Sequence, residues 1–383
     1  MTDADPAERR RADQFYRGVD KDLKLFGAAR LGERNVWVRL SRYAVHSNLL
    51  EPELRGVLAR VTDLRSWYPA WAERAAYFAG QADEASASGH RASAAEYWLT
   101  ASALYHVAQI NTRPEDPLKA EGARQSAACY RRAAPLFVPP AEAVAIASPV
   151  GTLPGYLRRP ADVARPPLVV LVNGANSSNE ELHAWTDGFL RRGLATLAFD
   201  GPGQGELAPH RGGIPLTADG YDAAIAAAVS WAAARDDLAG ARIGLWGMSL
   251  GGLLVARAAA RDERVRAAVS LGGLRSLEAY ADLPLPVQEE MRELTGLASF
   301  AATEAYVAHA YRADNLGTIR CPFLVVHGVL DDIVSTEDAR RLAAAAGERG
   351  ECWVFEDGVH VCYNLFQALR PRVADWLADR LGA

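Results

Sequence analysis

Lysine is nearly missing from this chain of 383 residues: only Lys21, Lys24 and Lys119 occur, and arginine supplies the remaining positive charge. No long basic run appears and the net charge of −5 is mild, so nucleic acid is not an expected partner. Cysteine is scarce as well. Cys129, Cys321, Cys352 and Cys362 show neither C-x-x-C spacing nor a disulfide-framework pattern, which predicts a reduced, cytoplasmic chain. No apolar stretch reaches the roughly 18–20 residues that span a bilayer, and residues 2–11 are too polar for a signal peptide. A soluble protein without a membrane partner is the expectation. The glycine-rich stretch Asp200-Gly201-Pro202-Gly203-Gln204-Gly205-Glu206 lacks the G-K-[S/T] of a phosphate loop, and Pro202 removes an amide donor. It is read as a tight loop bordering an active site.

What is present is ordinary globular composition, 50% apolar and 23% charged, on a chain long enough for two domains. Residues 1–138 carry helical signals and no convincing strand, and they predict an all-α domain. Helices are expected over 35–50 (Val36, Leu40, Tyr43 and Ser47 on a 3.6-residue period), 53–64 behind Pro52, 68–80, 92–110 and 117–132. The domain is rich in aromatics, which either fill its core or wall a pocket for a flat substrate. Pro135, Pro139 and Pro140 mark a linker.

From residue 139 to 383 the pattern changes. A hairpin is expected over 143–147 and 155–158, then strands at 168–172, 194–199, 243–246, 265–271, 322–326 and 352–355. Helices fall between them at 180–192, 218–234, 253–260, 337–346 and 365–381. Such alternation predicts a mostly parallel sheet with helices on both faces. Mainly helical material at about 276–316 interrupts it and is expected to cap the carboxyl ends of the strands, where ligands bind in open sheets.

The chemistry-bearing motif is Gly247-Met248-Ser249-Leu250-Gly251, set between a strand and a helix. This is a G-x-S-x-G turn, tight enough to lift a serine hydroxyl clear of the sheet, with glycines where side chains would collide. The Leu250 N–H opens the following helix and suits a developing oxyanion; the Ala175 N–H, after the strand at 168–172, is the second expected donor. A serine nucleophile needs an acid and a histidine in the order Ser, acid, His. The strand ending at 326 runs into His327-Gly328-Val329-Leu330-Asp331-Asp332, where Asp331 is the expected acid and Asp332 the alternative. The last strand leads through Glu356-Asp357-Gly358-Val359 to His360.

Residues 140–383 resemble α/β-hydrolases in general. The helical N-terminal part, with L-x-N-G-A-N-S-S-N-E-E, F-D-G-P-G-Q-G-E, G-M-S-L-G-G, H-G-V-L-D-D and D-G-V-H-V-C-Y-N, resembles a narrower set. That set holds 2,6-dihydroxypseudooxynicotine hydrolase and a fungal heptaketide-shortening pigment hydrolase; the fermentation-respiration switch esterase-like proteins are looser relatives. The resemblance implies an α/β-hydrolase fold, a triad of Ser249, Asp331 and His360, and backbone donors at Ala175 and Leu250. It also implies cleavage of a carbon–carbon bond, helped by a further carboxylate soon after the strand at 265–271. Glu278 and Asp282 are the carboxylates in that stretch, and neither matches the motif unambiguously.

The leading expectation is therefore hydrolysis of a β-dicarbonyl or polyketide-like aromatic ketone. Ester, lactone or thioester hydrolysis, cyclisation or elimination on the same triad, and non-catalytic binding on a hydrolase fold are the alternatives. No cofactor or metal is expected. The expected partner is a small-molecule substrate, with homodimerisation as the alternative use of the helical domain.

Overall fold

The computed structural model describes residues 6–26 and 51–383, and the chain divides into two compact units, Asp3–Ala143 and, in the main, Val144–Ala383. The helix expected over 35–50 lies outside the described residues. In the first unit the described helices are α1 (Pro6–Phe26), α2 (Glu51–Leu58), α3 (Leu64–Ala87), α4 (Arg91–Ile110) and α5 (Pro117–Ala133). The third starts earlier than its apolar period suggests because Asp63 and Ser66 close a reciprocal capping box. It ends at Ser88-Gly89, where Gly89 takes φ +76°. Trp67 and Trp71 are buried with Leu54, Val57, Leu104 and Val107, and the Trp67 Nε1–H donates to the Val107 carbonyl at 3.2 Å. Trp98 is buried among Ala82, Ala94, Ala101 and Cys129. These three tryptophans are core residues of the unit, while Tyr77 is exposed. No described helix is long and apolar enough to cross a membrane.

The second unit is built on an eight-stranded sheet of β1 (Ala141–Ser148, which spans the boundary between the units), β2 (Gly151–Arg158), β3 (Leu168–Val172), β4 (Ala195–Phe199), β5 (Ile243–Met248), β6 (Val265–Leu271), β7 (Phe323–Gly328) and β8 (Gly350–Phe355). The order is β1-β2-β4-β3-β5-β6-β7-β8. β2 runs antiparallel to β4, and every pairing from β4 through β8 is parallel. Every residue of β3, β4 and β5 is buried, as strands covered on both faces require. That is why they read as near-continuous apolar runs, with Thr196 the one polar side chain, rather than as alternating ones. The connecting helices are α6 (His183–Leu190), α7 (Ala218–Ala233), α8 (Leu250–Arg261), α9 (Leu285–Thr295), α10 (Phe300–Ala310), α11 (Thr336–Ala344) and α12 (Phe366–Leu381). A short 3₁₀ turn, Asn179–Leu182, replaces the start of the helix expected from residue 180.

The insertion between β6 and β7 supplies α9 and α10. Its contacts explain where it lies: the Leu216 N–H donates to the Leu294 carbonyl at 2.8 Å, and Asn176 Nδ2 lies 3.4 Å from Glu290 Oε1. Both partners belong to segments that leave the carboxyl ends of β3 and β4, so α9 packs over that edge of the sheet.

Candidate active site

The sheet edge where β3, β5, β7 and β8 end gathers the residues singled out by sequence. β5 stops at Met248, and Ser249 takes φ 54°, ψ −122°, a left-handed value that side-chain-bearing residues rarely adopt. The strain is sustained because the turn is wedged in place. A Cβ on Gly251 would sit 2.3 Å from the Val172 carbonyl oxygen, and the Ser249 N–H donates to Leu271 O at 2.8 Å. Ser249 is thereby lifted off the sheet at the start of α8.

The loops after β7 and β8 are laced together. The Val329 N–H donates to Phe355 O at 2.9 Å and the Leu330 N–H to Gly358 O at 2.8 Å. A Cβ on Gly328 would meet the Gly358 oxygen at 2.2 Å, so only glycine permits this approach. The lacing puts the Asp331 Oδ2 2.9 Å from His360 Nδ1, and His360 Nε2 lies 2.9 Å from Ser249 Oγ. Asp331, rather than the exposed Asp332, meets the imidazole. Val361 and Cys362, with φ of 50° and 51°, turn the chain sharply after His360. Asn364 holds the same loop, accepting from the Val359 N–H at 3.1 Å and donating to Asp357 O at 2.6 Å. Sequence reasoning missed Asn364, although it lies within the D-G-V-H-V-C-Y-N motif.

The Asp331 side chain is fully buried, and its Oδ1 accepts from the Ile333 and Val334 amides at 2.9 and 3.0 Å. Burial works to raise this carboxyl, but the charge and ring N–H of His360, with those two amides, outweigh it and hold it below the ordinary value of 3.8. A carboxyl lowered by folding stabilises the folded state above its unfolded value and loses that effect as pH falls through the folded one. The stability difference between wild type and Asp331→Asn should therefore be fully present above about pH 4 and shrink on further acidification, as read by urea unfolding at stepped pH. A difference that grows on acidification would contradict this assignment.

His327 is buried beside the site, but its Nδ1 is 3.9 Å from Asp331 Oδ2, too far for a hydrogen bond. Burial pushes its imidazole down, which keeps it neutral. The loop after β3 approaches from the other side: a Cβ on Gly174 would lie 3.4 Å from Met248 O and 3.5 Å from Ser249 Cβ. Ala175 follows directly, and among the described residues no protein group engages the N–H of Ala175 or of Leu250. The carboxylates expected after β6 are occupied elsewhere or exposed. Glu278 Oε2 accepts from the Ala313 N–H at 3.0 Å and pairs with Arg312 at 3.7 Å, and Asp282 is exposed in a 3₁₀ turn. Neither has a described contact with Ser249 or His360.

A doubly covered parallel sheet carrying a strained serine at the β5–α8 turn defines an α/β-hydrolase. Residues 190–382, which include Ser249, Asp331 and His360, match the prolyl oligopeptidase family, and residues 66–282 match the X-Pro dipeptidyl-peptidase (S15) family. The chain is 31% identical over 322 residues to 2,6-dihydropseudooxynicotine hydrolase of Paenarthrobacter nicotinovorans, covering 83% of this chain and 85% of that one. A crystal structure of the 2,6-dihydroxy-pseudo-oxynicotine hydrolase superposes with a TM-score of 0.81 at 28% identity, over 89% of this chain and 95% of that one. The 20-hydroxy-prefusarin hydrolase FUS2 of Gibberella moniliformis is 32% identical over 228 residues, 55% of this chain and 52% of that one. This chain thus spans about half of that fungal relative. The chain belongs to the α/β-hydrolase family that contains 2,6-dihydropseudooxynicotine hydrolase, and it is an enzyme of hydrolase type.

Proposed function

We propose that the protein hydrolyses a carbon–carbon bond of a β-dicarbonyl or polyketide-like aromatic ketone through Ser249, His360 and Asp331. The single observation that supports the catalytic reading most is the continuous chain of contacts, Asp331 Oδ2 to His360 Nδ1 and His360 Nε2 to Ser249 Oγ, each 2.9 Å. With Asp331 accepting the Nδ1 proton, the free Nε2 lone pair faces the serine hydroxyl. Ser249 Oγ attacks the carbonyl while its proton passes to His360, and the oxyanion lies between the Ala175 and Leu250 amides. Collapse breaks the bond to the α-carbon, whose electron pair is delocalised into the second carbonyl as an enolate. His360 returns the proton to that carbon. Water, deprotonated by His360, then releases the acyl group as a carboxylic acid, so one water is consumed per bond broken. The second carbonyl is what makes a carbon leaving group feasible, which is the reason for choosing a β-dicarbonyl.

The substrate class is supported by the family, whose members include hydrolases named for 2,6-dihydropseudooxynicotine and 20-hydroxy-prefusarin. A matched panel tests it: aryl β-diketones against aryl esters and thioesters carrying the same acyl group. The expected result is release of acid and ketone in equal amounts from the diketones, with kcat/KM at least about tenfold above the matched esters, a preference of 1.4 kcal/mol or more in the transition state. Turnover of the esters alone would replace carbon–carbon cleavage by ester hydrolysis on the same residues.

A further inference from the structure

The loop Gly201–Glu206 has no part in the triad, yet one of its side chains reaches the back of the expected oxyanion site. Gln204 is 1% exposed, and its Nε2 donates to two consecutive carbonyls, Asn173 O at 2.9 Å and Gly174 O at 2.7 Å. The Gly174 carbonyl and the Ala175 N–H belong to one planar trans peptide and point in opposite directions. Whatever fixes the first aims the second. We infer that Gln204 is a positioning residue, which directs the Ala175 N–H toward the carbonyl carbon's oxygen by holding the Gly174 carbonyl from behind. This rests on the reading of Ala175 as an oxyanion donor.

Three neighbouring features make the brace rigid. The Tyr221 hydroxyl donates to Gln204 Oε1, so the amide can present only its NH₂ end to the two carbonyls. Tyr221 is fully buried, and burial with the nearby Asp200 raises its phenol far above the ordinary value, so it remains a donor. Asp200, also fully buried, ties the two loops together. Its Oδ1 accepts from the Asn179 N–H at 2.8 Å and from Asn173 Nδ2 at 3.3 Å, while Oδ2 accepts from the Glu206 N–H at 2.9 Å. The glycines follow from this packing: at Gly205, with φ +48°, a Cβ would lie 2.1 Å from Asp200 Oδ2. The stretch that looks like a failed phosphate loop is accounted for as a bracket for the β3 loop.

The test uses the full chain with Gln204→Met, which keeps the volume and removes both donors, and Tyr221→Phe, which keeps the ring and frees the amide. Turnover of p-nitrophenyl butyrate gives kcat and KM. Affinity for 2,2,2-trifluoroacetophenone, which adds to the serine as an oxyanion, is compared with affinity for acetophenone, which binds without it. Loss of one oxyanion donor costs about 10²–10³-fold in kcat, so a misaimed donor in Gln204→Met should cost about 10–10²-fold with KM within about twofold. Affinity for the trifluoromethyl ketone should fall by the same factor, acetophenone affinity should hold, and Tyr221→Phe should move the same quantities in the same direction by less. If Gln204→Met does not fold, Tyr221→Phe decides by the ratio of the two ketone affinities. Wild type that forms the adduct while both variants bind it equally well overturns the brace and leaves the Ser249 reading standing. A uniform fall in both ketone affinities would make Gln204 merely structural and also overturn it. A wild type that forms no adduct at all overturns both readings.

Discussion

Ser249→Ala is expected to lower turnover by about 10⁴–10⁶-fold while the chain stays folded, which is the scale on which a serine nucleophile fails in comparable triads. The reason is geometric. The only described partner of the hydroxyl is His360 Nε2 at 2.9 Å, so the group is placed for proton transfer rather than for packing. The backbone at this position already carries the cost of φ 54°, and alanine adopts that value no more easily than serine does. The elbow should therefore neither relax nor gain a clash. Far-ultraviolet circular dichroism and the midpoint of thermal unfolding should match wild type, and kcat/KM on an activated ester should collapse. Near wild-type turnover by a folded variant would remove the serine mechanism altogether.

Asp331→Asn is expected to cost about 10⁴-fold in kcat, the loss seen when the corresponding acid of a serine protease is made an amide. The structure supplies the cause. Asp331 Oδ1 is held by the Ile333 and Val334 N–H groups, which demand an oxygen at that position. Asparagine satisfying them must turn its NH₂ toward His360 Nδ1. The imidazole then has to accept at Nδ1 and carry its proton on Nε2, where it points at Ser249 and cannot take the serine proton. Asp332 is exposed, and it takes no described part in the Ser249–His360–Asp331 chain. Asp332→Asn should change kcat by no more than about twofold, since surface changes away from such features are small. Measuring both variants side by side checks the assignment, and a larger loss at Asp332 would reverse it.

How far the sequence could be read depended on whether a feature was local. β3 matches the apolar run at 168–172, because so short a continuous run suits a strand covered on both faces, and β6 matches the strand expected at 265–271 although Arg266 and Ser270 interrupt its apolar residues. Ser249, Asp331 and His360 could be picked out because each sits at a strand end with a characteristic spacing. The start of α3 was not legible from apolar periodicity, since it depends on the Asp63–Ser66 capping box rather than on burial. Gln204 was hidden for a different reason: its partners are Tyr221 on α7 and two carbonyls in the β3 loop, about 17 to 31 residues away, and no period links them. Glu278 lies in the stretch expected to hold a further carboxylate, and there its carboxylate accepts from the Ala313 amide and pairs with Arg312, contacts that no sequence spacing announces.

The central claim is that Ser249 is the group that reacts. Incubation of the full chain with a fluorophosphonate, followed by intact mass and peptide mapping, tests it most directly. The account predicts one adduct per chain, located on Ser249, with activity lost in proportion to labelling and no adduct in Ser249→Ala. Unlabelled wild type that still turns over substrate, or an adduct on another residue that tracks the loss of activity, would contradict it.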